Sequence, residues 1–522
     1  MRLLLPGLIV LVFATTAAAQ RLDPPEPNRA ILSRPITDEK RVIAHYMTGM
    51  VPAAEVGEMF WIDPALEDPD GPARETGGLL LTRPMPMLRW PGGLPLAEAA
   101  RLEIRTAKLL GVDGFNFYYP LGPDAAFLDR YDQIVAAFLD AAAEDGDFKL
   151  TLCLSPIGRP NLTAADIAEI YGTRLKRLLV GSQRDVWLRT PDGRLLLYTW
   201  LPDAIVASEL GGEHWRIRER PELMATVAAA FGRVATLAGE ADAAVLYHLD
   251  QIELLEPALD YFPAVYGWVA VGDELDAWRD VAARCAERGR TYVQEVHPDY
   301  FTGKLYARDN GRLLMNLDDV LALGVDGVER HGQVLGVSQT FRAKLELAIE
   351  LGSPLINLTT WNDYPEGHHL APETTHNFAF AVLMKHYLQR WRGGGDVPAD
   401  DAIVVFFKRY PAPAPTHFDI AVHNKKAIGP PGVDNIIEVI TILAQPGVLH
   451  VDGEKPIAVP AGLTITSLPS RPGVVRATVE RDGDTVVTVE TPVAITFEPR
   501  RTDRLTYGFS SEFRRLYEAL YE

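Results

Sequence analysis

Cysteine is nearly missing from this chain. Among 522 residues there are two, Cys153 and Cys285, few for an exported protein. They fall in what reads as a core strand and an outer helix on different sides of the fold, so no disulfide is expected between them. Basic residues are short relative to acidic ones, 51 against 70, and no basic stripe with interleaved aromatics occurs. The formal net charge of −19 repels phosphate backbones and anionic lipid, which excludes nucleic acid as the partner. Beyond the N-terminus no apolar run is long enough to span a bilayer, and there is no low-complexity tract and no repeat other than a strand–helix alternation.

Residues 1–19 read as a secretory signal: Arg2 supplies the charged region, 3–14 a short apolar stretch broken by Pro6 and Gly7, and Ala17-Ala18-Ala19 before Gln20 a small-residue cleavage site. Cleavage removes one positive charge, Arg2, and takes the net charge from −19 to −20. The expectation is a periplasmic or secreted protein without membrane attachment. Of the two glycosylation sequons, at Asn161 and Asn357, the second lies within a buried strand and cannot accept a glycan there.

A length of 522 residues and 47% hydrophobic content suit a large core plus a smaller module. Apolar, β-rich runs alternate with helical stretches at 41–47, 114–119, 149–154, 195–200, 243–249, 265–269, 291–296 and 355–360. Eight such strands define an α/β fold of the (β/α)8 TIM-barrel type, spanning 20–395. Thr163 with Asp166 forms a capping box, Ser338 caps a helix that Gly352 ends, and an amphipathic helix over 375–391 closes the barrel. The stretch 48–95 after the first strand is rich in Pro, Gly and Met, too long for a plain connection, and is expected to drape over the catalytic face. Gly393-Gly394-Gly395 then breaks the pattern. Short alternating runs at 403–407, 436–442, 474–479 and 485–489, with a hairpin signal at Asp482-Gly483 and a final helix near 513–521, read as a β-sandwich accessory module over 396–522.

In barrel enzymes catalytic side chains come from the carboxyl ends of several strands. Those ends here carry His45 and Tyr46, Asn116 and Tyr118, Trp200, His248 and Asp250, Trp268, then Glu295, His297 and Asp299. Aromatics with neutral polar groups suit a polyhydroxylated ligand. The eighth run is followed by Trp361-Asn362-Asp363-Tyr364-Pro365-Glu366-Gly367-His368-His369, which sets two carboxylates three residues apart at a strand end. Breaking a glycosidic bond requires a proton for the leaving oxygen and a second group to activate or replace water.

This segment resembles the Trp-Asn-Asp-Tyr-Gly-Glu-Ser-His signature of glycoside hydrolase family 71, the α-1,3-glucanases. It is also similar to the Trp-Asn-Glu-Trp-His-Glu-Gly signature of family 99, the endo-α-mannosidases and mannanases. Pro365 replaces a Gly, Gly367 a Ser and His369 a Tyr of the first pattern, while Glu366-Gly367 leans toward the second. The resemblance extends over roughly 40–391, including 42–47 and 111–118. It implies an exported hydrolase of α-linked polysaccharide with Asp363 and Glu366 as the catalytic pair, Glu366 the acid and Asp363 the base. Burial against Trp361 and carboxylate repulsion should raise one of their pKa values. Family 71 implies inversion; family 99 implies net retention through the sugar 2-hydroxyl.

The substrate-binding set expected around the pair is His45, Tyr46, Asn116, Tyr118, Asp250, Trp268, Glu295, His297, Trp361, Asn362 and His368. Blander readings stand beside it: His45 as a core histidine, Trp268 as strand packing, Asp250 as a solvated rim and Asp113 as a turn residue. His368 and His369 suggest metal, but the first strand lacks His-x-His and no Glu or Cys is recognised to complete a ligand set, so no metal and no cofactor are expected. A glycan-binding barrel without turnover is the reading from another class.

Overall fold

The computed structural model describes residues 29–56, 82–272, 274–314, 317–412, 420–430, 432–498 and 504–522. The expected signal (1–19) and the middle of the stretch after the first strand (57–81) lie outside these.

Eight parallel strands close into a barrel: β1 (Arg41–Tyr46), β2 (Gly114–Pro120), β3 (Lys149–Ser155), β4 (Leu195–Thr199), β5 (Ala243–His248), β6 (Ala264–Tyr266), β7 (Thr291–Val296) and β8 (Leu355–Leu358), with β1 pairing both β2 and β8. All eight coincide with the runs read from sequence. Alternation sorts the side chains into two layers. Ile43, Cys153, Leu196, Tyr198, Leu246, Tyr266, Val293 and Leu355 fill the barrel interior. Val42, Ala44, Tyr46, Phe115, Phe117, Leu150 and Leu152 face the helices outside. Cys153 is thus interior, while Cys285 belongs to the outer helix Glu274–Glu287.

The helices start where local chemistry lets them. Thr163 and Asp166 form the expected reciprocal capping box before Ala164–Val180. Two expectations fail for tertiary reasons. Ser338 makes no cap bond for Gln339–Glu350; its hydroxyl is taken instead by buried Glu438. The closing helix begins at Ala379 rather than 375, because Glu373 accepts the N–H groups of Thr375 and His376 and Asn377 adopts a left-handed φ of 51°.

Between β7 and β8 the chain makes an excursion that the sequence reading did not resolve into elements. Leu305–Ala307, Leu313–Leu314 and Val328–Val334 form a sheet completed by Ala421–Ala427, which pairs in parallel with Val328–Val334. Further on, two four-stranded sheets face each other across a cluster that includes Ile403, Val405, Phe407, Val439, Leu449 and Val479. Asp482 and Gly483 (φ 55° and 89°) make the predicted hairpin turn between Arg476–Arg481 and Asp484–Glu490.

These sheets are stitched to the carboxyl end of the barrel strands. Thr506 N–H donates to Asp299 Oδ2 (2.5 Å), Gly508 N–H to the Thr375 carbonyl (3.0 Å), and Asn377 Nδ2 to the Gly508 carbonyl (3.2 Å). Leu516, Leu520 and Tyr521 of the helix Phe513–Tyr521 join the barrel's outer core. No helix of the described residues is long and apolar enough to cross a membrane.

Candidate active site

Inward parity carries a polar and aromatic ring to the carboxyl end of the barrel. His45 Nδ1–H donates to Asn116 Oδ1 (2.7 Å), Asn116 Nδ2 to Asn357 Oδ1 (3.0 Å), and Asn357 Nδ2 to Thr359 Oγ1 (3.3 Å), a continuous chain across β1, β2 and β8. Burial lowers His45 to about 4, so its imidazole is neutral and leaves Nε2 as an acceptor. Tyr118 and Trp268 pack on its ring at 5.7 and 5.1 Å between centroids, and Trp200 and His248 extend the set through ring contacts of 5.8–6.4 Å with these and with each other. Trp200 and Trp268 are each followed at once by a left-handed residue, Leu201 (φ 48°) and Val269 (φ 41°). Such conformations are rare for these residue types, and here they turn the chain away just after each indole. Leu201 N–H donates to His248 Nδ1 (3.2 Å), which fixes the proton of that histidine on its buried, unpartnered Nε2.

Asp363 and Glu366 lie over this ring. Asp363 caps the short turn Tyr364–Glu366, accepting the Glu366 N–H, and His368 Nε2 lies 3.3 Å from Asp363 Oδ2 and 3.4 Å from Glu366 Oε2. The nearest oxygens of the two carboxylates are within 4.8 Å of each other. His368 joins the aromatic ring through Trp268 (6.3 Å) and Tyr300 (5.4 Å). Lys304 forms an ion pair with Glu366 and also faces the charge of Asp363. Burial alone would lift Asp363, yet Lys304 and then His368 outweigh it and hold its carboxyl at about 2. Asp363 is therefore not a carboxylate that burial lifts: the cation decides, and Trp361 faces elsewhere.

Six of the eleven expected binding residues stand in this constellation or beside it: His45, Asn116, Tyr118, Trp268 and His368, with buried His297 near enough to His368 to feel its charge. Tyr46 and Trp361 do not. Tyr46 has outward parity and packs on Phe115, Phe117 and Phe138. Trp361 is fully buried in the helix layer, where its indole N–H donates to Glu103 Oε2 (2.5 Å). Strand parity would have turned it inward with Asn357, but β8 ends at Leu358 and the rule lapses. Asn362 is also committed, its Oδ1 accepting the Met47 N–H (2.7 Å) and its Nδ2 donating to the Met47 carbonyl. Glu295 gives one oxygen to Lys344 and the other to His297 Nδ1 (3.0 Å), all three side chains being buried. Asp250 is exposed after β5. These positions separate two tryptophans by experiment. Trp361→Phe should lower the unfolding free energy measured in urea by about 1–3 kcal/mol, because it strips a donor from buried Glu103, and leave KM unchanged. Trp268→Ala should raise KM more than it lowers kcat, since stacking acts on ground and transition states alike. A KM effect of Trp361→Phe alone would reverse the assignment.

Sequence reasoning missed Lys304 and Tyr300, which lie on the excursion after β7 without a strand to announce them, and buried Lys344 on the helix before β8. Trp200 and His248 were noted at strand ends but not drawn into the set. The absence of a completing carboxylate is also corrected: Glu373 lies with His369 and His376, and Asp363 and Glu366 with His368.

Fold and site together define a closed (β/α)8 barrel with paired carboxylates and an aromatic ring at its carboxyl mouth. No family model matches the chain. A mutanase of Penicillium rubens is 26% identical over 163 residues, covering 27% of this chain and 36% of the mutanase. The match thus spans little more than a third of that relative's length. Among solved structures, a GH99 endo-alpha-mannosidase from Bacteroides thetaiotaomicron superposes with a TM-score of 0.45 at 13% identity, covering 67% of this chain and 97% of that one. A Bacteroides uniformis beta-glucuronidase gives 0.40 at 12%, covering 77% and 44%. A mutanase and a GH99 endo-alpha-mannosidase thus stand among the proteins to which this chain is similar.

Proposed function

We propose that this protein is an exported glycoside hydrolase that cleaves an α-linked oligo- or polysaccharide, α-1,3-glucan first among them, by carboxylate acid–base chemistry. The supporting observation is the cluster of Asp363, Glu366 and His368, with His368 Nε2 within 3.4 Å of both carboxylates, facing Lys304 over an aromatic ring at the barrel mouth. Asp363, held ionised, suits the base or nucleophile. Glu366 is the more open of the two, 22% exposed against 7%, and is reached first by the leaving oxygen as the acid. Inversion through one water ordinarily separates the carboxyl groups by about 6.5–9.5 Å; an approach within 4.8 Å favours instead a step in which Asp363 acts on the sugar itself. Export rests on the signal read in residues 1–19.

The competing α-mannan reading draws on Glu366-Gly367. That glycine has a local explanation: its φ is 73°, and a Cβ there would meet the Phe301 carbonyl oxygen at 2.6 Å and Leu505 at 2.8 Å. It therefore does not favour mannan over glucan. Incubation with a panel of α-glucans and α-mannans should release reducing ends from α-1,3-glucan. Release from α-mannan alone would replace the substrate, and binding without release from any would point to a non-hydrolytic glycan-binding barrel.

A further inference from the structure

We propose that His369, Glu373 and His376 bind one zinc ion that clips the loop after the carboxylates to the start of the closing helix, independently of the sugar chemistry. The three side chains are 1%, 0% and 3% exposed. Glu373 Oε1 lies 3.4 Å from His376 Nε2 and 3.8 Å from His369 Nε2, and one donor atom from each residue falls within 4.8 Å of the others. Turn geometry explains part of the cluster. Glu373 accepts the N–H groups of Thr375 and His376, and His376 Nε2 lies 3.0 Å from the His369 carbonyl oxygen. It does not explain His369, whose two ring nitrogens are both buried without a hydrogen-bond partner, or the equally bare Nδ1 of His376.

Buried imidazoles ordinarily have partners, and each exception requires a reason. A cation supplies one for His369 Nε2, the bare nitrogen nearer Glu373, and would take His376 through Nε2 in place of that atom's contact with the His369 carbonyl. Two imidazoles and a carboxylate are a borderline-soft set that suits zinc rather than magnesium or calcium, which prefer oxygen throughout. The two backbone N–H bonds fix the Glu373 carboxylate with Oε1 toward both rings, the outer-shell arrangement that orients a ligand. The neighbouring cluster of Asp363, Glu366 and His368 is a poorer site, since the Lys304 ammonium already occupies its field. Burial on all sides makes the ion structural: it ties residues 367–371, directly behind the catalytic turn, to the helix Ala379–Trp391.

The test uses the full chain purified without a metal-chelating tag. Elemental analysis should find about one zinc per chain, and His369→Ala and His376→Ala should each lower it at least tenfold while Glu366→Gln keeps it. In the wild type, stripping zinc with a chelator should lower Tm and added zinc should restore it, a reading that needs no variant to fold. Zinc below a tenth of an equivalent with no Tm response would overturn the proposal. So would zinc retained in His369→Ala but lost in Glu366→Gln, which would move the ion to the carboxylates.

Discussion

Asp363→Asn and Glu366→Gln should each lower kcat by at least ~100-fold with substrate binding retained, the range of about 10²–10⁴-fold that positioned acid–base groups contribute. The amides keep the size of the side chains and the cap that Asp363 provides for the Glu366 N–H, so loss of rate will not be loss of fold. Asp363 is ionised at every working pH because Lys304 and His368 hold it at about 2 against its burial. An Asn there removes a charge that the site maintains at the expense of desolvation. Single-turnover rates together with equilibrium binding of an oligosaccharide check this. Near wild-type turnover in either folded variant would remove that carboxylate from the mechanism.

Lys304→Met should have the next largest effect. The ammonium opposes the burial of Asp363 and pairs with Glu366; without it only His368 and the Glu366 N–H are left to oppose burial. A nearby opposite charge depresses a carboxyl pKa by about 1–3 units, so the acid limb of kcat/KM should move up by at least ~1 pH unit. The sign for stability follows. Asp363 has a folded value below its ordinary 3.8, so its contribution is complete above that ordinary value and is lost as pH falls toward 2. In Lys304→Met that window narrows and moves upward. Urea midpoints between pH 2 and 6 and a pH–rate profile report both shifts, and an acid limb that stays in place would show that Lys304 is a bystander.

The barrel was legible because a parallel strand covered on both faces must be an apolar run, and eight runs punctuated by helices leave few alternatives. Strand parity then explains which site residues could be read. His45, Asn116, Tyr118 and Trp268 share the inward side with interior residues such as Ile43 and Tyr266, while Tyr46 is one residue out of phase and faces the helices. Trp361 misled because it stands three residues beyond the last paired residue of β8. Lys304 lies on an excursion whose short strands pair with residues 421–427, a contact that no local pattern encodes. The Ser338 cap and the early helix start failed for the same reason: Glu438 and Glu373, distant or buried partners, took the groups that local rules had assigned.

The stitching of residues 505–508 to Asp299, Gly367 and Thr375 has a consequence in time. Ribosomes deliver the chain from its N-terminal side, so all eight barrel strands are made before Thr506 exists to occupy Asp299 or Leu505 to cover Gly367. A nascent chain can hold a closed barrel and both carboxylates and still lack the backing that seats Phe301 and, three residues on, Lys304. Support for that loop arrives late, only once residues 505–508 have been made. A premature stop between the barrel and residue 505 would therefore yield a protein with Asp363, Glu366 and Lys304 all present and the loop that carries Lys304 unsupported.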